Sequence, residues 1–167
     1  KKVFKHVYKY NKVTGHRMSP DDAYLIIRGL RTLDIRLEQH QENTKKIVIW
    51  LSKQKKIKEV LYPYKPSSRR YKLWKKYYTG ATGLLGLIIK SKNKNSVIKF
   101  VNSLKLFGMG YSWGGYESLV IYQEMQQIGK REFSPIQKGE HVVRLHIGLE
   151  DSKDLIDDLK KSLRFIK

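Results

Sequence analysis

The sequence predicts an α+β fold: a long amino-terminal helix followed by a small antiparallel or mixed sheet with helices packed on it. Three observations lead there. Apolar residues recur at helical spacing between Leu25 and Trp50. Two short apolar runs, within Gly83 to Lys90 and within Val142 to Ile147, have the length and flanking turn residues of strands. Shorter amphipathic stretches follow them, so that after the long helix, strands and helices alternate.

The first seventeen or so residues are basic and aromatic, with a turn signal at Thr14-Gly15. Ser19-Pro20-Asp21-Asp22 is a helix start: Ser19 can cap free N–H groups, Pro20 suits the first helical position, and two carboxylates favour the positive end of the dipole. From there Leu25, Ile26, Leu30, Leu33, Leu37, Ile47, Ile49 and Trp50 hold the helical period. No proline interrupts the run to about Ser52, so it reads as one helix, with Gly29 the place for a kink. A short strand around Glu59 to Tyr62 stops at Pro63, and a basic loop runs through Pro66, Ser67, Ser68, Arg69 and Arg70. After the strand at Gly83 to Lys90, Asn95 to Leu106 is amphipathic, with Val97, Phe100, Val101 and Leu104 on one face. Phe107 to Tyr111 leads into a turn at Gly114-Gly115, followed by a short element at Ser118 to Ile121. The strand at Val142 to Ile147 precedes a terminal helix from about Asp151, with Leu155, Ile156, Leu159 and Leu163 as its buried stripe. Asp157-Asp158 on that helix reads as a solvated pair.

With 167 residues, 40% of them hydrophobic and 30% charged, the chain can bury a core and is not a disordered one. The absence of cysteine excludes disulfide scaffolds, Cys-based zinc sites and thiol catalysis. Lys1 to Lys9 alternates basic and apolar residues, unlike a signal peptide, and the run Leu84 to Ile89 is too short to span a bilayer. A cytoplasmic location is expected, with no membrane partner. The net charge of +20 admits two readings. Clustered cations would mark a nucleic-acid binding module. Here Lys greatly outnumbers Arg and the cations are scattered, which favours a lysine-biased surface over phosphate recognition and argues against a nucleic-acid partner.

No self-contained catalytic set is visible. His6, His16, His40, His141 and His146 lack metal-ligand spacing and read as surface or packing residues, so no metal is expected. Gly108, Gly110, Gly114 and Gly115 match neither a P-loop nor a dinucleotide fingerprint and read as a tight turn. Two places stand out. Tyr111-Ser112-Trp113 sets polar-tipped aromatics against paired glycines. Arg144 is a lone charge in the apolar strand Val142 to Ile147, and alternation puts it on the same face as His146. It either faces solvent from a half-buried strand or aims a guanidinium into a pocket to take a carboxylate; the pattern leaves both open.

Taken together and in order, several segments resemble the carboxy-terminal part of the cysteine/methionine-metabolism family of pyridoxal-phosphate enzymes. They are Arg28 to Leu33 with Arg36 and His40, Thr79-Gly80-Ala81-Thr82-Gly83, Tyr111-Ser112-Trp113-Gly114-Gly115 with Glu117-Ser118-Leu119, and Arg144 to Asp151. The resemblance runs from about Ser19 to Leu163. Tyr111 to Gly115, where γ-carbon enzymes typically carry Glu-Ser-Leu-Gly-Gly, is similar to the β-lyase branch, as is Trp74-Lys75-Lys76.

The resemblance implies that 1–18 is a basic lead-in and 19–167 the small carboxy-terminal domain of the enzyme. It implies that Arg144 binds the substrate α-carboxylate and that Tyr111, Ser112 and Trp113 line the substrate side of the cofactor pocket. The turn at Gly148-Leu149-Glu150-Asp151 would be structural. The family's cofactor-anchoring lysine, the aspartate facing the pyridine nitrogen and the phosphate-binding residues belong to a large upstream domain, and no lysine here sits in a matching motif. The chain is therefore expected to be part of a homo-oligomeric carbon–sulfur lyase that converts cystathionine and water to homocysteine, pyruvate and ammonia. Alone it should neither hold pyridoxal phosphate covalently nor turn over, and no catalytic or cofactor-binding residue is assigned to it.

Overall fold

The computed structural model describes residues 1–124, 136–137 and 139–167. They divide into two units, Lys1–Ile35 and Arg36–Lys167.

In the first unit, α1 (Lys2–Thr14) ends where Gly15 takes φ 68°, a left-handed conformation that glycine adopts without penalty. Ser19 caps α2 (Pro20–Leu30), its hydroxyl oxygen accepting from the Asp22 N–H at 3.0 Å, as the start signal predicts. The run expected as one helix to Ser52 is instead two, because α2 stops at Leu30 and α3 begins at Leu33. Gly29 weakens the last turn of α2, β-branched Thr32 follows it, and Asp34 suits a new amino-terminal turn. The expected lead-in is itself helical. No residue of this unit is buried, and Phe4, Tyr24, Leu25, Ile26 and Leu30 stand exposed.

The second unit holds the core. From Arg36 on, α3 (Leu33–Leu51) buries His40, Asn43, Thr44, Ile47, Val48 and Leu51, one stripe at helical spacing. Leu37 and Ile49, expected in that stripe, are exposed. The polar members replace them because each makes a hydrogen bond inside. A five-stranded sheet has the order β1-β2-β5-β4-β3, with β1 Ile57–Leu61, β2 Leu84–Lys90, β3 Gly108–Met109, β4 Leu119–Gln123 and β5 Glu140–His146. Every pairing is antiparallel except the short parallel contact of β3 with β4. The α+β class with a mixed sheet is thus the one the sequence predicts.

The helices α5 (Lys94–Ser103) and α6 (Ser152–Leu163) lie where their patterns put them. Val97, Phe100 and Val101 of the first join Leu155, Leu159 and Leu163 of the second, with Leu85, Leu87, Val143 and Leu145, in one core. The helix α4 (Tyr71–Tyr77) falls within a stretch to which the sequence assigns no element; at seven residues it is too short to show a period. Asp158 is not solvated. It is buried and accepts from the N–H groups of Lys105 and Leu106, both at 2.8 Å, which ties α6 to the chain leaving α5. Among the described residues no helix is long and apolar enough to cross a membrane.

Candidate functional site

Strand alternation builds the site. Val143 and Leu145 of β5 point into the core, both fully buried, so Arg144 and His146 share the other face. The loop 110–118 reaches that face. One guanidinium nitrogen of Arg144, Nη2, donates to the carbonyls of Gly110 (3.0 Å), Tyr111 (2.9 Å) and Ser112 (3.0 Å). An NH₂ group has two hydrogens, so three acceptors must share them. The neighbouring Nε is buried and has no partner. Nε and Nη2 form one edge of the guanidinium, the fork on which a carboxylate can dock with two parallel bonds. Half of that fork is taken up by the loop, and the other half is buried without a partner. Of the two readings the pattern leaves for Arg144, its placement against this loop excludes a side chain directed simply into solvent.

The structure brings Arg144 against the backbone carbonyls of Tyr111 and Ser112, and Trp113 follows them in the same loop. The Tyr111 and Trp113 side chains themselves are exposed, at 77% and 65%. Gly114 follows with φ 85°, the left-handed turn that the paired glycines announce.

His146 holds the far end of the loop. Its Nε2 lies 3.0 Å from the Gly115 carbonyl and 3.1 Å from the Gly114 nitrogen, and its Nδ1 lies 3.4 Å from that same nitrogen. A carbonyl can only accept, so Nε2 serves Gly115 when it carries the proton. The Gly114 N–H approaches that same nitrogen more closely than Nδ1 and needs a lone pair, which in the Nε2-protonated ring only Nδ1 retains. Burial is the largest influence on this ring and holds its pKa below the usual histidine range. The bond to Gly115 opposes that, His40 and Arg144 reinforce it, and Glu150 opposes it. Gly83 makes room for the ring: a Cβ there would stand 2.3 Å from the Ile147 carbonyl and 2.9 Å from His146 Cε1.

Four further residues support this arrangement, and of these only Asn43 goes unremarked in the sequence. Glu150 accepts from the Ser118 N–H (2.7 Å) and hydroxyl (2.8 Å), and the Ser118 oxygen accepts from Gly148 N–H (2.8 Å). Asn43 donates to the carbonyls of Gly148 and Glu150. His40 donates from Nδ1 to the Ile147 carbonyl at 2.7 Å, and its ring centroid is 5.2 Å from that of His146. The available signal was polar residues at 40, 43 and 44, in helical register with Ile47 and Val48.

Elsewhere, a cleft of about 410 Å³ is lined by Tyr62, Tyr64, Arg70, Trp74 and Tyr77 among others, and it does not include Arg144. His141 bridges the Tyr122 hydroxyl and the Ser91 carbonyl. Among the described residues no three His, Cys, Asp or Glu side chains gather as a metal-holding group. The described lysines are solvent-exposed except the half-buried Lys65, and none bonds to the Arg144 loop. The unpartnered donor on Arg144 suits a carboxylate.

A family model described as Cys/Met metabolism PLP-dependent enzyme matches residues 1–164. Cystathionine beta-lyase of Escherichia coli is 40% identical over 147 residues, which cover 87% of this chain and 37% of that protein. The L-alanine/L-glutamate racemase of Wolbachia pipientis is 36% identical over 162 residues, covering 96% of this chain and 40% of that protein. The fold is also that of a protein from Campylobacter jejuni assigned as an O-acetylhomoserine (thiol)-lyase, whose crystal structure carries a pyridoxyl-lysine phosphate. The TM-score is 0.80 at 32% identity, covering 96% of this chain and 37% of that one. The chain spans well under half the length of the relatives it matches.

Proposed function

The chain belongs to the Cys/Met-metabolism family of pyridoxal-phosphate-dependent enzymes, and from that premise we propose that it is the substrate-orienting small domain of a carbon–sulfur lyase acting on cystathionine. In the complete enzyme pyridoxal phosphate supplies the electron sink. The anchoring lysine and the phosphate site come from a large domain, on the same chain or another. Overall, cystathionine and water give homocysteine, pyruvate and ammonia.

The part assigned to this chain is orientation. The observation that carries it is the unpartnered, buried Nε of Arg144 beside the Tyr111–Trp113 loop. A substrate α-carboxylate would satisfy that donor and compete with the loop carbonyls for Nη2. Fixing the carboxylate at one end turns the reacting carbons toward the cofactor and converts lost entropy into rate. Tyr111, Ser112 and Trp113 line the approach. The alanine and glutamate named for the Wolbachia relative also carry an α-carboxylate, so this role for Arg144 does not depend on which bond is broken.

In the complete enzyme, Arg144→Lys should lower kcat/KM for cystathionine by about ten- to a hundredfold, the cost of roughly 1.5–3 kcal/mol for a charge-assisted bond. Cofactor absorbance should be unchanged. An unaltered kcat/KM would remove Arg144 from the substrate site. Borohydride reduction of the isolated chain with pyridoxal phosphate should label no single lysine; selective labelling of one would overturn the assignment of the anchor to another domain.

A further inference from the structure

The proposed role for Arg144 depends on where the loop stands, and Arg144 holds only its first half. Gly110, Tyr111 and Ser112 give their carbonyls to Arg144, while Gly114 and Gly115 are held by His146. Between those two attachments lies Trp113, with its side chain exposed. The two attaching side chains are two positions apart on one strand, so the spacing of β5 fixes the span of the loop.

We infer that His146, backed by His40, is a positioning residue whose neutral ring fixes the Gly114–Gly115 end of the loop and thereby sets the stance of Tyr111, Ser112 and Trp113 beside Arg144. The inference rests on the reading of that loop as the substrate side of the site. Its geometry needs no cofactor. The Gly114 N–H lies within reach of both ring nitrogens and the Gly115 carbonyl within reach of Nε2, so the ring must offer one proton and one lone pair, and only the neutral form does so. Protonation of both nitrogens would leave the Gly114 N–H facing donors alone. It would also put a cation next to Arg144 and the His40 ring, with only the Glu150 carboxylate on the opposing side.

His40 is the backing. Its Nδ1–H is committed to the Ile147 carbonyl, and its buried Nε2 has no partner. That ring lies against His146 and cannot turn to relieve it without giving up the bond to Ile147. Gly83 closes the opposite approach, since any side chain there would meet the His146 ring. The ring therefore has one seat and one useful charge state.

The linkage has a definite sign. His146 is held neutral in the folded chain more strongly than in the unfolded one. Its contribution is present above the ordinary histidine value of about 6.5 and is lost as pH falls through the lower folded value.

The test uses amide exchange at Gly114 in the intact chain, with circular dichroism as the check that the fold persists. In the native sequence, Gly114 protection should fall about tenfold on acidification below the histidine range, the worth of one hydrogen bond. In His146→Gln, the side-chain amide can still donate and accept but cannot titrate, so protection should persist across that range. In His146→Phe, ring volume remains without polar atoms, and protection should be absent at every pH. Equal pH profiles for the native chain and His146→Gln would overturn the inference, as would a protected Gly114 in His146→Phe. These readouts involve no substrate, so they stand or fall apart from the kinetic test of Arg144.

Discussion

The turn at Gly148–Asp151 and the loop at Tyr111–Gly115 both border β5, and they are held in opposite ways. The turn is buried at Gly148 and tied from three sides: Asn43 takes two of its carbonyls, Ser118 takes the Gly148 N–H, and Glu150 returns two bonds to Ser118. The loop presents exposed aromatic rings and hangs on two side chains, one with a donor to spare. A base tied by several buried bonds carries a loop beside which the Arg144 Nε stands unpaired, which is how a fixed scaffold can present a group to a ligand.

That contrast can be broken most severely at Gly148. A Cβ there would lie 2.2 Å from the Tyr116 carbonyl oxygen and 2.7 Å from the Glu117 carbonyl carbon, both backbone atoms that cannot swing aside. Gly148→Ala should cost more than about 4 kcal/mol in urea unfolding, or prevent folding altogether. A midpoint close to that of the native chain would show that the base is not rigid. Ser118→Ala comes next: it strands the Gly148 N–H and one Glu150 oxygen, for about 2–3 kcal/mol by the same measurement.

Substitutions in the loop should separate stability from function. Arg144→Lys removes the fork, but the Tyr111 and Ser112 carbonyls lie near water, so thermal unfolding should register less than about 1 kcal/mol. If it costs as much as Ser118→Ala, Arg144 is part of the scaffold instead. The smallest effect belongs to Trp113→Ala, within about 0.5 kcal/mol of the native chain, as for an exposed side chain with nothing packed on it.

Local period made much of this architecture legible. The strands β2 and β5 and the stripes of α5 and α6 follow from apolar spacing alone, because each buries one face against the same core. What the period misses depends on partners far away in sequence. Asp158 looks solvated on its own helix, yet the N–H groups it meets are more than fifty residues earlier. His40 and His146 read singly as packing residues; nothing local pairs two rings over a hundred positions apart. Arg144 is the intermediate case. Alternation supplies its face, the resemblance supplies an expected role, and only the loop carbonyls, more than thirty residues back, decide where the guanidinium goes. The break between α2 and α3 escaped because Gly29 marks a weak point without saying whether the helix bends or stops there.

The central ladder has a kinetic consequence. Pairing β2 with β5 joins Lys90 to Glu140 and Leu84 to His146, so the strand pair at the middle of the sheet closes a loop of at least fifty residues. Its ordering entropy must be met before Val143 and Leu145 can bury themselves against Leu85 and Leu87. A chain with such high contact order should fold in the slow range of mixed α/β domains, after its helices have already formed and dissolved many times. β4 meets β5 across a much shorter separation, Gln123 with Val142, so that ladder can form before β2 joins it. The face that carries Arg144 can therefore take shape ahead of the core it will cover.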